Sequence, residues 1–446
     1  MHKISLGIVS QTPLIKMLAG ASDEEVTLSS LKPEDYMYTV GGVAQLINSE
    51  LAELVEDRII RNAVWFSLGQ DAPKSIVLNK KLKIINISLE SESSRSYTYF
   101  KENVWRNIHN LGLKEFTKSE YLGYFRYNSK LARAILQYPE NVDLFELHDF
   151  QQVLLGAMIG PSAPSILRWH IPIIPELLNK KIKKFIVHGM EGNEAVIVST
   201  KRDLEGLIRA GYKGMAWHLY PNLDPKLWAR PSRAAYSGIS AKYGITNDDF
   251  VVLNVARMDS MKSQDDLIKA VSLLKSDRLK LMLVGDGSFT SSKGGLGHPK
   301  GRIWKRRLLR LTKRLGLEGR VIFTGYLTHG ELEAAYKRAD LFVLPSRMEG
   351  FGLTAVEAWL YNTPTIISRG AGISELIMEG LNGFTFSPGD FRELAILMHK
   401  LYSDNKLTEK MGGNTRSMAR VCYTSTTTPQ LEVIYEQVLK DFVSDR

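Results

Sequence analysis

The sequence is very poor in cysteine: Cys422 is the only one among 446 residues, which excludes an intramolecular disulfide and any metal site built from several thiolates. Long apolar runs are absent as well. The longest stretch without a charged residue, 150–167, contains two prolines, two glutamines and two serines, so it is not a membrane span. The apolar stretch at the N-terminus is too short for a signal peptide. These absences predict a cytoplasmic protein in a reducing compartment.

Two further absences concern chemistry. The chain contains no Asp-x-Asp, and its nine histidines supply no His-x-x-x-His pair with an acidic partner, so we predict that no metal is bound. The segment LVGDG at 283–287 is only part of the Gly-x-Gly-x-x-Gly motif of dinucleotide-binding enzymes, which argues against a dehydrogenase. No aromatic–basic signature of RNA binding occurs, so no nucleic-acid partner is expected.

Short apolar, β-branched runs alternate with helical stretches along most of the chain, a pattern that predicts an α/β fold with parallel sheets covered on both faces. The length favours two domains. We predict an N-terminal Rossmann-like domain over 1–225, completed by a C-terminal helix within 429–446, and a second one over 245–428. The predicted strands are 4–10, 63–68, 82–89, 144–148, 165–171, 195–200, 251–256, 279–284, 321–324, 341–344 and 365–368. Because doubly wound sheets bind ligands at the carboxyl ends of their strands, a site in a cleft between two facing domains is expected.

The richest segment for chemistry is PSRMEGFGLTAVEAW at 345–359, where a strand leads through a glycine-bearing loop into a helix. Gly350 and Gly352 let backbone N–H groups approach an anion, and the helix N-terminus adds partial positive charge. Glu349 and Glu357 bracket this loop. The spacing suits a diphosphate held by the backbone with a carboxylate on either side for hydroxyl groups. The same pattern is also compatible with a glycine turn and two solvated carboxylates.

The pair Glu349 and Glu357 resembles the Glu-x7-Glu signature of retaining glycosyltransferases of family four, which have the GT-B fold. The resemblance covers residues 250–440 densely, because further motifs follow in that family's order: VARMDSMK (255–262), LVGDG (283–287), RVIFTGYL (320–327), ADLFVLPS (339–346) and ISELIMEGLNGFTFSPGD (373–390). It implies a fold of two facing Rossmann-like domains. It also implies a nucleotide-diphosphate sugar as the donor substrate, with no separate cofactor.

The resemblance further implies roles for individual residues. Arg257 and Lys262 would neutralise the donor diphosphate in place of a metal ion. Glu349 would bind hydroxyls of the transferred sugar and Glu357 the ribose, and Leu327 sits where the family contacts the base. The residues whose backbone would hold the phosphates are Gly350, Phe351, Gly352, Leu353 and Thr354.

The first half resembles the family more thinly. The segment TVGGV, with Gly41 and Gly42, is similar to the glycine loop after the first strand of GT-B enzymes, although an insertion, 14–38, separates it from that strand. The segments LHDFQQ (147–152) and LRWHIPIIPEL (167–177) resemble those of trehalose-forming synthases. By that likeness Asp149 would bind sugar hydroxyls and His170 would lie beside the anomeric carbon.

The expected function is therefore metal-independent transfer of a hexose, glucose being the favoured one, from a UDP-, ADP- or GDP-sugar to a sugar or sugar-phosphate acceptor with retention of configuration. Trehalose-6-phosphate or trehalose is the preferred product. In that family no carboxylate is placed as a nucleophile, so front-face substitution is favoured over double displacement. Two alternatives stay open. One is a nucleotide-sugar-binding or nucleic-acid-binding protein without turnover, against which the complete set of Glu349, Glu357, Arg257, Lys262 and His170 argues. The other arises because nine Lys/Arg fall between Lys293 and Arg314, an insertion lies at 291–302, and a basic helix follows it. A basic amphipathic helix can bind anionic lipid, so a membrane-associated transferase acting on a lipid or glycan is the rival interpretation. The apolar stripe of that helix can equally be the core face of a Rossmann helix.

Overall fold

The structure is a computed structural model that describes residues 3–18, 24–39, 42–56, 59–70, 72–112, 115–162, 164–228, 231–286 and 300–444. The chain divides into two compact units, one formed by Met1–Asn222 with Thr424–Arg446 and the other by Leu223–Tyr423. The two points where the chain passes between units are adjacent, since the Leu223 N–H donates to the Cys422 carbonyl (2.8 Å). The sequence had suggested residue 225 as the end of the first domain and 428 as the end of the second.

The first unit contains a nine-stranded sheet in the order β11-β10-β9-β8-β1-β5-β7-β6-β3. Its strands pair in parallel except for the antiparallel pair β6 and β7. A separate antiparallel pair joins β2 and β4. The strands are β1 Ile4–Ser10, β2 Ile15–Met17, β3 Glu25–Thr27, β4 Tyr36–Tyr38, β5 Ile60–Leu68, β6 Ser75–Asn79, β7 Leu82–Ile87, β8 Leu144–His148, β9 Ser165–Trp169, β10 Ala195–Val198 and β11 Met215–His218.

Helices flank this sheet. They are α1 Gly42–Glu56, α2 Ser91–Ile108, α3 Lys118–Leu136, α4 Leu155–Ile159, α5 Lys180–Met190, α6 Lys201–Arg209 and, from the end of the chain, α14 Thr424–Ser444. The last helix returns to the first unit because Leu431, Ile434, Tyr435 and Val438 lie on one face at helical spacing. All four are buried in the same core as β1 and α1. The predicted C-terminal helix is thus present, and it begins earlier than the sequence suggested.

The second unit is built on a six-stranded, fully parallel sheet in the order β14-β13-β12-β15-β16-β17. Its strands are β12 Phe250–Val255, β13 Leu279–Val284, β14 Val321–Gly325, β15 Leu341–Leu344, β16 Thr365–Ser368 and β17 Gly383–Phe386. Its helices are α7 Arg233–Lys242, α8 Gln264–Leu273, α9 Lys300–Arg314, α10 His329–Arg338, α11 Leu353–Leu360, α12 Phe391–Ser403 and α13 Asn405–Ala419.

The parallel arrangement follows from the continuous apolar character of the strands. Every residue of β15 and β16 is buried, which requires helices on both faces of the sheet. The eleven predicted strands are all found, with ends shifted by a few residues in several cases. The strands that were not predicted are the short β2, β3, β4, β6, β11 and β17. Within the described part of the chain, no helix has the length and apolar character needed to cross a membrane.

Candidate active site

The loops at the carboxyl end of the second sheet bring the predicted donor residues together. After β12 the chain makes a short turn at Ser260–Lys262, whose start is capped by the Asp259 carboxylate accepting from the Met261 N–H (2.9 Å). The Met261 carbonyl in turn accepts from the Arg347 N–H (2.8 Å), which belongs to the loop after β15. This bond fixes the two loops side by side.

Lys262 and Glu349 are in direct contact across these loops, through Nζ and Oε2. The same Glu349 oxygen accepts from the Ser346 hydroxyl (3.0 Å). Burial alone would raise the pKa of Glu349, but the adjacent Lys262, the Ser346 hydroxyl and the charge of Arg257 hold it below its usual value. Glu349 is therefore an anion beside two cations at the sheet edge.

Arg257 lies at the end of β12 with an exposed side chain. Its backbone is fixed, because its carbonyl accepts from the Gln264 side-chain amide (2.8 Å), whose oxygen accepts from the Trp304 indole N–H (2.9 Å). The guanidinium therefore projects from an anchored position, where it can reach a ligand anion.

The glycine loop between the two glutamates leads directly into α11. Gly352 precedes that helix with φ +113°, a conformation that L side chains rarely adopt, and a Cβ there would lie 2.6 Å from Leu344 Cδ2. Phe351 is buried and its carbonyl accepts from the Ile373 N–H (2.9 Å). The N–H groups of Leu353 and Thr354 open α11, where the first turn supplies no helical acceptor, whereas the Ala355 N–H already donates to the Gly352 carbonyl (3.0 Å). Together with Gly350 they form a helix start suited to an anion.

Glu357 lies in α11, and its Oε2 accepts from the Tyr336 hydroxyl (2.5 Å). Burial raises the pKa of Glu357 to about 7, an effect that the Tyr336 hydrogen bond reduces. The Trp228 ring packs against Tyr336 (centroids 5.8 Å) and His329 (5.1 Å), next to this carboxyl. The sequence did not point to Tyr336 or Trp228, because an isolated aromatic residue carries no spacing signal.

Leu327 is buried and directly precedes Thr328, the cap of α10. Leu327 thus lies in the loop before the helix that carries Tyr336, and its contact with a base stays a prediction. Gly42 begins α1, whereas Gly41 lies outside the described residues. The predicted insertion 14–38 contains β2, β3 and β4.

In the first unit, His170 and Asp149 follow neighbouring strands and touch each other. The His170 backbone N–H donates to Asp149 Oδ1 (2.8 Å). Asp149 has φ +65° and ψ 178°, which is unusual for a residue other than glycine, and such strain is typical of functional positions. Burial raises the pKa of the Asp149 carboxyl to about 7.

Behind His170 lies a buried polar cluster that sequence reasoning missed. Its members are Glu50, Glu146, His148, Arg168 and Tyr435, and each is almost completely buried. A signal was present, since Glu146 and Arg168 are charged residues within strands that are mostly apolar, and buried charges in proteins are paired.

The exposed side of α9 is strongly basic. Trp304, Leu308 and Leu311 pack into the core of the second unit, so the apolar stripe of this helix is a core face. The stripe does not reach Leu315, which is 36% exposed. Most of the insertion 291–302 lies outside the described residues. Among the residues that are described, no three of the His, Cys, Asp or Glu side chains cluster closely enough to hold a metal ion.

The chain folds into two Rossmann-like α/β units, and the second has a glycine-lined helix start beside Lys262 and Glu349. This is the GT-B fold of glycosyltransferases. Residues 237–418 match the family model for glycosyl transferases group 1, so the second unit carries a domain of that family.

Three comparisons illustrate the likeness. Mannosylfructose-phosphate synthase of Agrobacterium fabrum is 31% identical over 239 residues, which span 52% of this chain but only half of the length of that relative. The structure of HepE from Anabaena with UDP-glucose has a TM-score of 0.67 at 20% identity, covering 97% of this chain and 100% of that chain. The UDP-forming α,α-trehalose-phosphate synthase of Burkholderia xenovorans with glucose-6-phosphate reaches 0.76 at 14% identity, with coverages of 98% and 100%. At these identities the two solved structures define the fold alone.

Proposed function

We propose that the protein transfers a hexose from a nucleotide-diphosphate sugar to a sugar hydroxyl, with retention of the anomeric configuration and without a metal ion. The observation that carries this proposal is the contact of Lys262 with Glu349 beside Arg257 and the start of α11. A cationic pair and a helix N-terminus suit a diphosphate, and the partly buried carboxylate of Glu349 next to them suits the hydroxyls of the attached sugar.

The chemistry requires charge stabilisation on the leaving group. As the bond between C1 and the diphosphate oxygen breaks, negative charge accumulates on the phosphate, where Lys262, Arg257 and the N–H groups of α11 would stabilise it. The acceptor oxygen then attacks C1 from the face that the phosphate is leaving, and its proton passes to a phosphate oxygen. No enzyme carboxylate needs to become a nucleophile in this route.

The first unit would hold the acceptor and the reacting carbon. The Asp149 carboxyl suits sugar hydroxyls, and His170, fixed by its backbone hydrogen bond to that carboxyl, would lie next to the anomeric centre. We propose glucose as the transferred sugar and trehalose-6-phosphate or trehalose as the product. Support comes from the proteins to which this chain is similar. One is named mannosylfructose-phosphate synthase, HepE is solved with UDP-glucose, and the trehalose-phosphate synthase is solved with glucose-6-phosphate.

A matrix of donors and acceptors tests this proposal. UDP-, ADP- and GDP-glucose are incubated with glucose, glucose-6-phosphate or fructose-6-phosphate in the presence of EDTA, and nucleotide release and product NMR are recorded. We expect one nucleotide released per disaccharide formed, with an α-linkage at the transferred glucose. A β-linked product would contradict retention, and loss of activity in EDTA that Mg²⁺ restores would contradict metal independence.

A second candidate is transfer at a membrane surface, and it is favoured by the exposed face of α9. The cations on this face are Arg302, Arg306, Arg307, Arg310, Lys313 and Arg314. Ile303 and Leu309 stand among them and are 66% and 45% exposed. Such a face complements anionic lipid, and each cation near the surface adds about 1 kcal/mol of attraction. The proposed partner is an anionic bilayer surface.

Vesicle flotation separates the two candidates. Membrane association predicts that the protein floats with phosphatidylserine-containing vesicles and not with neutral ones, and that changing Arg306 and Arg310 to Gln abolishes flotation. A protein that stays at the bottom with both kinds of vesicle would contradict membrane association.

A further inference from the structure

The buried cluster of the first unit forms a continuous chain that ends at His170. Glu146 and His148 are two residues apart on β8, and Arg168 and His170 are two residues apart on the neighbouring β9 and its end. Because His148 is paired with Arg168 in the register of these strands, all four residues share one face of the sheet. Arg168 Nη1 contacts Oε2 of Glu50 on α1 and lies 3.0 Å from Oε1 of Glu146. The next members are the two histidine rings.

Glu146 is the fixed anion of this chain. Its Oε2 accepts from the hydroxyl of Tyr435 on α14, and its Oε1 faces Arg168 and His148. Burial by itself would raise the pKa of Glu146, but Arg168, His148 and the Tyr435 hydroxyl together hold it well below the usual range. Its partner Glu50 has the opposite tendency, because burial raises its pKa to about 7.

The anion determines which nitrogen of His148 carries hydrogen. His148 Nε2 lies 3.2 Å from Glu146 Oε1 without forming a well-aligned hydrogen bond, and the negative charge of this carboxylate favours the hydrogen on Nε2, the ring nitrogen that faces it. Burial, together with Arg168, lowers the pKa of His148 despite Glu146, so the ring is neutral. Its Nδ1 is therefore an acceptor.

The same reasoning extends to His170. Nε2 of His170 lies 3.0 Å from His148 Nδ1, and the planes of the two rings are parallel to within 3°. Because His148 Nδ1 accepts, His170 Nε2 must donate. Burial and the neighbouring His148 and Arg168 keep the pKa of His170 well below its ordinary value, so this ring is neutral as well.

We propose that Glu146 and His148 are positioning residues that hold His170 as the neutral tautomer with hydrogen on Nε2, leaving Nδ1 to accept a hydrogen bond from a substrate hydroxyl. Toward the substrate, the His170 ring therefore accepts a hydrogen bond at Nδ1 and does not donate one. The role of His170 Nδ1 in sugar transfer rests on the proposed function. The assignment of the His170 tautomer does not depend on that function.

The tautomer can be read in the free enzyme by ¹⁵N–¹H long-range correlation NMR on protein labelled at histidine. Only nine histidines contribute, and spectra of the His148→Phe and His170→Phe variants assign the two signals. We expect hydrogen on Nε2 of His170 and no titration of its ring from pH 6 to 9. Hydrogen on Nδ1, or a protonated ring near pH 6.5, would overturn the proposal even if the enzyme transfers sugar normally.

Variants of His148 test whether this residue holds the tautomer of His170. In His148→Asn the amide oxygen can replace the Nδ1 acceptor, so the tautomer of His170 should persist, whereas His148→Phe should release the ring to a mixture of tautomers. Transfer by the Phe variant should fall about tenfold in kcat with a smaller change in the donor KM, and the Asn variant should recover most of it. Equal kcat for the Phe variant and the wild type would contradict the role in transfer. Glu92→Gln, at an exposed position of α2, is the control and should leave the spectrum unchanged.

Discussion

Lys262 Nζ contacts the carboxylate of Glu349, although 87 residues separate them in the sequence. The pair forms because both residues follow parallel strands of one sheet, whose carboxyl ends meet at the same edge. In the free protein the lysine is thus already held at the position where a donor diphosphate is proposed to bind.

Gly352→Ala should damage both stability and donor binding. The new Cβ would meet Leu344 Cδ2 at 2.6 Å, and φ +113° is strained for alanine. We expect a loss of about 2 kcal/mol in the free energy of unfolding and weaker nucleotide binding, because the start of α11 must shift. Chemical denaturation and calorimetric titration with UDP measure the two effects.

Gly330→Ala is the matched control, since nothing lies within 4 Å of the added Cβ in the first turn of α10. This variant should be as stable as the wild type or slightly more stable. Equal stability of the Gly352→Ala variant and this control would show that the tight approach at Leu344 is unimportant.

Tyr336→Phe removes the hydroxyl that donates to Glu357. The pKa of this partly buried carboxyl, already about 7, should rise further, and the free energy of unfolding should fall by about 1–3 kcal/mol. Donor KM should increase because Glu357 loses its orientation. Tyr361→Phe is the comparison, as that hydroxyl donates to Glu333 instead (3.2 Å). If both variants raise the donor KM equally, Glu357 has no special role.

Asp149→Asn should make the protein more stable at high pH and less active. The folded protein keeps the Asp149 proton up to about pH 7, whereas the unfolded chain releases it near pH 4. The folded state therefore binds more protons in this window, and this carboxyl lowers the free energy of unfolding as the pH rises from about 4 to 7.

The amide keeps an oxygen for the His170 N–H and carries no charge, and asparagine tolerates positive φ better than most residues. At pH 8 the free energy of unfolding of the variant should exceed that of the wild type by about 4 kcal/mol, since the pKa differs by about three units between the folded and unfolded states, and at pH 4 the two should be equal. Denaturation at both pH values measures this difference. A variant less stable at pH 8 would contradict the raised pKa.

The sequence was most informative where a pattern is local. The predicted strands include continuously apolar runs such as 341–344, and the donor loop could be located because Glu349, Gly352 and Glu357 occupy one short segment. The strands β6, β11 and β17 were not predicted; each combines a few apolar residues with polar residues or glycine, and none is buried along its whole length.

Long-range contacts could not be predicted. Nothing in the sequence links Tyr435 to Glu146, 289 residues away, because their hydrogen bond depends on where α14 packs. The hydrogen bond from Tyr336 to Glu357 depends in the same way on the position of α10 beside α11. The sequence thus indicated which residues carry the chemistry, whereas the residues that orient them required the fold.

The central claim is that Lys262 stabilises charge on the leaving diphosphate. Lys262→Met keeps most of the side-chain length and removes the charge, while Lys275→Met, at an exposed position beyond α8, is the matched control. Removing a group that stabilises developing negative charge typically lowers kcat by about 100-fold or more.

The decisive measurement is kcat for sugar transfer by these two variants with the best donor, with their thermal unfolding recorded in parallel. We predict that Lys262→Met folds and loses at least about 100-fold in kcat, and that Lys275→Met matches the wild type. A folded Lys262→Met enzyme that transfers sugar at the wild-type rate would contradict the account.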